Sequence, residues 1–321
     1  QTAVYHVISR TACRAFLFGP TEKEMFCNLM QQQARFAGIH ILSYCIMSNH
    51  IHLLLRVPLV DSISDAELLQ RYAEYYGVEK LPRSTYSTEE LKEILTQGGD
   101  EAAAAKKRIL ARIGNLPSFM RELKQRFSIW YNHTHDNKGT IWSARYKSLI
   151  VEDEPESLTR VAAYIDLNPV RAEIVTDPQD YRWCSYAANL AGNPLARAGL
   201  IQIFANLKKW DTAIQSYRMI LFGKGYASKG TPEKDRGRIS AERLEEIIRL
   251  NGKVPLQELL RVRVRYFSDG LALGSKSFVS DILAENPTAF GKQRKQAGAP
   301  LPEASWGRLH IIRNLKRRVY G

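Results

Sequence analysis

Two apolar-rich runs, residues 39–47 and 50–57, are separated only by Ser48 and Asn49, and no other feature of the chain restricts its fold as tightly. Two residues make a tight hairpin loop, so the runs pair as neighbouring antiparallel strands. Successive side chains of a strand point to opposite faces. Ile51, Leu53, Leu55 and Val57 therefore share one face of the second strand, and His50 and His52 share the other. Upstream, residues 5–10 alternate like a further strand. Thr21 then precedes a helical run in which Met25, Phe26, Leu29 and Met30 fall together. Downstream, Phe119, Leu123, Phe127 and Trp130 give residues 118–133 an amphipathic helical pattern, and residues 140–151 read as a strand. The order is β-α-β-β-α-β.

Residues 59–117 interrupt that order. They are charged, carry four alanines at 102–105, show no strand signal, and read as a helical insertion. After the last strand, Pro155 sits where a first-turn proline is tolerated. Leu158, Val161, Ala162 and Ile165 stripe a helix that Pro169 is expected to stop. The expectation is an α+β fold, a ferredoxin-like antiparallel sheet with helices on one face.

Charge divides the chain differently. Residues 1–190 hold 22 Lys plus Arg and 22 Asp plus Glu, whereas residues 191–321 hold 24 and 11, so the whole net charge of +13 lies in the C-terminal part. A basic tail on a neutral body suits either a phosphate-rich partner or a well-solvated surface. Residues 1–190 are accordingly read as a catalytic domain, 191–239 as a basic linker and 240–321 as a basic, α-helical DNA-binding domain. A candidate helix-turn-helix lies at 269–283, with Gly270 and Gly274 in the turn and Lys276 near the second helix. Cys13, Cys27, Cys45 and Cys184 form no CxxC pair and read as reduced thiols. No run reaches the roughly 18–20 apolar residues of a membrane span, and a cytoplasmic protein is expected.

Two elements carry chemistry. His50 and His52 project from one strand face and are able to share a metal ion, although such a pair also occurs as a hydrogen-bonded surface pair. Tyr164 and Asn168 are four apart on a helix and are neighbours on its surface. The plain structural alternative is a boundary tyrosine and an asparagine that closes the helix before Pro169. His6 lies on the first strand, from where it could approach the site, and reads first as a satisfied structural histidine. His133 and His135, at a helix end before Gly139, are discounted as a second metal pair.

Together these segments resemble the insertion-sequence and REP-associated tyrosine transposases, HUH nucleases with one nucleophilic tyrosine. The resemblance rests on Tyr5-His6-Val7 with Ser9-Arg10, Met47-Ser48-Asn49-His50-Ile51-His52-Leu53, Trp142-Ser143-Ala144-Arg145-Tyr146-Lys147-Ser148, Tyr164-Ile165-Asp166-Leu167-Asn168-Pro169-Val170-Arg171-Ala172 and Tyr181-Arg182-Trp183-Cys184-Ser185-Tyr186. It covers residues 1–60 and 118–190, not the insertion or the tail. It implies an HUH nuclease fold, Tyr164 as nucleophile, and a divalent cation, Mg²⁺ or Mn²⁺, on His50 and His52. Asn168 stands in the place of the third ligand, for which Asp166 or a water is the alternative. The implied partner is single-stranded or hairpin DNA, handled by a monomer or homodimer associated with the nucleoid.

A hard cation offsets the charge of a phosphodiester under attack, and a phenol needs help to lose its proton at neutral pH. Arg145, Lys147 and Arg171 are the candidate phosphate contacts of the matched segments, and Trp142, Tyr146 and Trp183 either stack bases or fill the core. The rival functions are a rolling-circle initiator or relaxase, a DNA-binding regulator that no longer cuts, and a hydrolase of small phosphoesters.

Overall fold

The computed structural model describes residues 2–60, 62–76, 86–204, 207, 209–222, 260, 266–286, 298–301 and 306–313. The chain divides into two compact units, the first built mainly from residues 10–40 and 56–145, the second from 4–9, 41–55 and 146 onward.

The first unit is helical. Helix α1 (Pro20–Ala37) starts with a proline, where the missing N–H costs no bond, and ends at Gly38. With φ at 64°, Gly38 turns its N–H back onto Arg35 O at 3.3 Å. The insertion contains α2 (Asp65–Tyr76), α3 (Thr88–Gln97) and α4 (Gly99–Leu110). Helix α3 is opened by a capping box. Ser87 Oγ accepts the Glu90 N–H at 3.1 Å, and the Glu90 carboxylate accepts the Ser87 N–H at 2.7 Å. Leu68, Tyr72, Leu91, Leu95, Ala105 and Ile109 pack in one cluster with Phe36 of α1. Helix α5 (Leu116–Thr134) is capped by Asn115, whose Oδ1 accepts the Ser118 N–H at 2.9 Å.

The second unit holds the sheet. Strands β1 (Ala3–Arg10), β2 (His40–Ile46), β3 (His50–Val57) and β4 (Lys147–Val151) stand in the order β2-β3-β1-β4. With α1 after β1 and α5 before β4, this is the expected ferredoxin-like arrangement in an α+β fold. β1 runs antiparallel to β4, with His6 opposite Leu149. Helix α6 (Pro155–Asp166) lies on the sheet face that carries the histidines. Its Leu158, Val161, Ala162 and Ile165 share a cluster with Val4, Leu42, Leu54, Leu149 and Val151 of the strands. The alternate residues Ile51, Leu53 and Leu55 are also fully buried, so β3 has no wet face.

Helix α6 ends at Asp166, ahead of Pro169 as expected, and Pro169 occupies the first turn of a separate short helix, α7 (Asn168–Arg171), where Asn168 Nδ2 donates to Ile165 O at 3.0 Å, the carbonyl that the missing proline N–H would have served. Two expectations need correction. Residues 191–222 are no linker. After α8 (Ser185–Leu190), α9 (Pro194–Ile203) and α10 (Trp210–Phe222) place Leu200, Ile203, Ile214, Tyr217 and Leu221 in the same core as the strands. Finally, residues 269–283 form no helix-turn-helix. Short α11 (Tyr266–Asp269) leads into β5 (Gly270–Gly274), which pairs parallel with β4 before α12 (Lys276–Glu285). β6 (Ala299–Pro300) and β7 (His310–Arg313) complete a sheet ordered β2-β3-β1-β4-β5-β7-β6. Residues 223–259, which take in the end of the expected linker and the start of the expected helical domain, lie outside the described residues. Among the described residues no helix is long and apolar enough to cross a membrane.

The glycines of β5 explain the misreading. A Cβ at Gly274 would stand 2.5 Å from Glu152 Cβ, and one at Gly270 would stand 2.6 Å from Ile311 Cδ1. Both are needed for close packing rather than for a turn. Glu152, just past β4, then fixes the start of α12, accepting the Ser275 N–H and hydroxyl at 2.6 Å each.

Candidate active site

Two strands and a helix converge on a set of rings. His50 and His52 lie on one face of β3, with ring centroids 5.1 Å apart. Across the β1–β3 pairing stands His6, whose ring centroid lies 5.1 Å from that of His52 and whose Nε2 lies 2.9 Å from His52 Nδ1. Tyr164 reaches the same place from α6, its ring centroid 6.1 Å from that of His52 and 6.2 Å from that of His6, edge to face in both cases. The alternation of β3 and the stripe of α6 thus meet as the sequence pattern demands. Tyr164 is 4% exposed, with Phe267 packed on its ring at 4.8 Å.

The hydrogen bonds of the histidines decide what they offer. His50 Nδ1 is 2.7 Å from Asn49 Oδ1. An amide oxygen only accepts, so Nδ1 carries the proton and the lone pair of His50 lies on Nε2. His52 Nδ1 is engaged by His6, which makes Nε2 the nitrogen that His52 turns to a ligand. His6 is buried to 1% exposure. Burial pushes its pKa from 6.5 down to about 3, the Phe267 backbone opposes the shift, and the nearby Arg171 charge adds to it. His6 is therefore a neutral imidazole at physiological pH. A pair of imidazoles oriented on β3 by second partners is the kind of donor set that a divalent cation requires. Among the described residues no group of three His, Cys, Asp or Glu side chains is arranged for a metal. A cation at this place thus depends on the two imidazoles together with amide, water or substrate oxygens.

Asn168 and Asp166, the alternatives for the third ligand, differ in what they have left to give. Asn168 Nδ2 donates to Tyr164 O at 3.3 Å and to Ile165 O at 3.0 Å, closing the last turn of α6 and leaving Oδ1 as its only ligating atom. The Asp166 carboxylate is consumed elsewhere. It accepts from Ser185 Oγ at 2.8 Å, the Tyr186 N–H at 3.0 Å and Tyr217 Oη at 2.6 Å. It anchors α6 to α8 and α10 instead of facing the histidines.

The candidate phosphate contacts are dispersed. Arg171 turns inward, its guanidinium 4.0 Å over the Tyr164 ring, donating to the carbonyl of Leu260 at 2.7 Å and to that of Tyr164. Its first role here is to hold the tyrosine. Lys147, at the start of β4, is exposed and pairs with Asp269 at 2.9 Å. Arg145 is exposed ahead of β4, and Lys276 is exposed at the first turn of α12. Trp142 belongs to the core, packed 5.8 Å from Phe18 and 5.9 Å from Phe127, with Nε1 donating to Ser128 Oγ at 3.0 Å. His135 pairs with Glu22 at 3.0 Å, a structural contact of the first unit.

His6 is both things its strand position allows, a buried, hydrogen-bonded histidine and a neighbour of the candidate site. Phe267 is the site residue with no signal in the sequence, because it lies 103 positions along the chain from the tyrosine it covers.

Residues 1–76 match the family described as "Transposase IS200 like". No curated protein matches the chain. A solved structure titled "Structure of the REP associates tyrosine transposase bound to a REP hairpin" aligns at 15% identity and a TM-score of 0.37, covering 60% of this chain and 84% of that one.

Proposed function

We propose, from the match of residues 1–76 to the family described as "Transposase IS200 like", that the protein cuts and rejoins single-stranded DNA, with Tyr164 as nucleophile. The observation that carries the reading is the convergence, within one chain, of the Tyr164 ring and the His50–His52 pair. The tyrosine serves the histidines of its own chain. His50 Nε2, His52 Nε2 and Asn168 Oδ1 would hold Mg²⁺ or Mn²⁺, which when bound polarises a non-bridging phosphate oxygen.

The side chains do the rest. Tyr164 Oη forms a bond to phosphorus as the P–O3′ bond breaks. Its phenolic proton passes to water, and the departing 3′ oxygen takes a proton from solvent. The 5′ phosphate stays on the tyrosine. Arg171 sets a fixed positive charge 4.0 Å from the ring centroid, beside the group on which negative charge develops. A 3′ hydroxyl of another strand then reverses the exchange, with one P–O bond made for each one broken, so joining needs no ATP. Single-stranded DNA beside a hairpin is the proposed substrate. Exposed Arg145, Lys147 and Lys276 are the proposed phosphate contacts.

One observation favours a second reading, a hairpin-binding regulator that does not cut. Tyr164 is 4% exposed beneath Phe267, so a DNA strand must displace that cover before attack. Hairpin oligonucleotides labelled at either end, incubated with Mg²⁺ or Mn²⁺, separate the two. The transposase reading expects label from the fragment downstream of the cut to become attached to the protein. The adduct disappears in Tyr164→Phe and in the double variant His50→Ala, His52→Ala. Tight DNA binding by the wild type with no protein-linked product would establish the regulator instead.

A further inference from the structure

We infer that His6 is a positioning residue that holds His52 in the one tautomer able to bind a cation, an inference that rests on the metal-dependent reading of the site. The 2.9 Å contact joins two imidazole nitrogens, His6 Nε2 and His52 Nδ1. In a neutral pair one nitrogen must donate and the other accept. For His52 to present a lone pair at Nε2, its Nδ1 must carry the proton and donate, and His6 must accept at Nε2. The ring planes are nearly parallel, 21° apart, and with the two nitrogens 2.9 Å apart the rings meet edge to edge across β1 and β3.

The environment of His6 holds its ring in place. It is 1% exposed on the strand face of Val4 and Ile8, opposite Leu149 of β4, and has no room to turn toward solvent. The arrangement repeats at His50, whose Nδ1 donates to Asn49 Oδ1. Both candidate ligands are thus oriented by uncharged acceptors. A carboxylate, the commoner partner of a metal-bound histidine, would add negative charge behind the ring. A neutral acceptor sets the geometry while leaving more of the cation's charge for an anionic phosphate.

The test uses the full chain in two measurements. In metal-free protein, the side-chain nitrogen shifts of His52 report its tautomer. The expectation is a proton on Nδ1 in the wild type and a mixture in His6→Phe. A wild-type proton on Nε2 would overturn the proposal. Mn²⁺ binding followed by electron paramagnetic resonance should weaken by about 10–100-fold in His6→Phe. It should recover in His6→Gln, whose amide oxygen again accepts from Nδ1, with thermal melts confirming that both variants fold. Unchanged Mn²⁺ affinity in His6→Phe, alongside loss in His52→Ala, also sinks the role. If His50→Ala and His52→Ala themselves leave Mn²⁺ binding intact, the metal reading fails, and the tautomer measurement alone still judges His6.

Discussion

Helix α6 has two polar residues that face two buried environments, and the contrast between them separates anchoring from chemistry. Asp166 meets three donors from three residues, so its oxygens are committed. Tyr164, two positions earlier, meets rings: His52, His6 and Phe267, with Arg171 across its face. A saturated polar cluster specifies where a helix sits. A phenol packed among rings carries no such commitment. One face of α6 fixes the helix, and the other holds Tyr164 at a defined distance from β3.

Breaking the chemical face should have the largest effect and the least structural cost. Tyr164→Phe retains the ring that packs on Phe267 and Arg171 and removes only the hydroxyl. The expected outcome is complete loss of covalent DNA adduct, with unfolding free energy within about 1 kcal/mol of wild type and unchanged DNA affinity. Urea titration and adduct electrophoresis on the same samples check both halves. A residual adduct would place the nucleophile elsewhere.

Breaking the anchoring face should do the reverse. Asp166→Ala leaves the Tyr217 and Ser185 hydroxyls and the Tyr186 N–H without their acceptor in a buried space. At about 1–3 kcal/mol for each stranded group, partly relieved by relaxation, the loss should be on the order of 3–5 kcal/mol. Asp166→Asn keeps one acceptor oxygen and should lose less. Denaturant midpoints of the two variants rank them, and equal midpoints would show that the cluster does not hold the helix.

The two faces should also answer acid in opposite directions when measured in chelator, so that no cation intervenes. Burial raises the Asp166 pKa from 3.8 to about 6, against the opposing pull of hydrogen bonds from Tyr217, Ser185, Tyr186 and Cys184. The folded state therefore holds that proton more tightly than the unfolded chain. The associated stability is full below about pH 4 and is lost as pH rises through 6. His6, lowered to about 3, behaves oppositely, since its contribution is present above the unfolded value of 6.5 and is lost as pH falls toward 3. Between pH 6 and 4 the two largely offset each other, by up to about 3 kcal/mol each way. Asp166→Asn should steepen the acid loss, and His6→Phe should turn it into a gain. Parallel slopes in the two variants would mean that neither group titrates in the fold.

Much of this was legible along the chain because it depends on short-range periodicity. The hairpin around Ser48 and Asn49, the histidine face of β3 and the stripe of α6 follow from spacings of two and of three to four residues. What failed depends on contacts between distant segments. Gly270 and Gly274 look like turn formers, and only the approach of Ile311 and Glu152 shows why a strand requires them. Asp166 was an open metal candidate until Tyr217, 51 residues on, claimed its second oxygen. His6 reads first as structural because one histidine in a strand carries no sign of which ring will lie across from it. Basic charge in the tail gives no warning that its strands extend the sheet that carries the histidines.

The smallest expected effect belongs to a residue on neither face. Lys147 opens β4 with its side chain 69% exposed and paired to Asp269, an ion pair screened by solvent and of little consequence for folding. If it holds a phosphate of the bound strand, Lys147→Gln should leave stability and the chemical step alone. It should lower DNA affinity a few-fold at low salt, and the slope of log K against log salt should fall by about 0.7, the value for one single-strand phosphate contact. Fluorescence anisotropy of a labelled oligonucleotide across a salt series reads that slope directly. A change in cleavage rate on saturating DNA would instead place Lys147 within the reacting site, and the division between the anchoring and chemical faces of α6 would have to be widened to include β4.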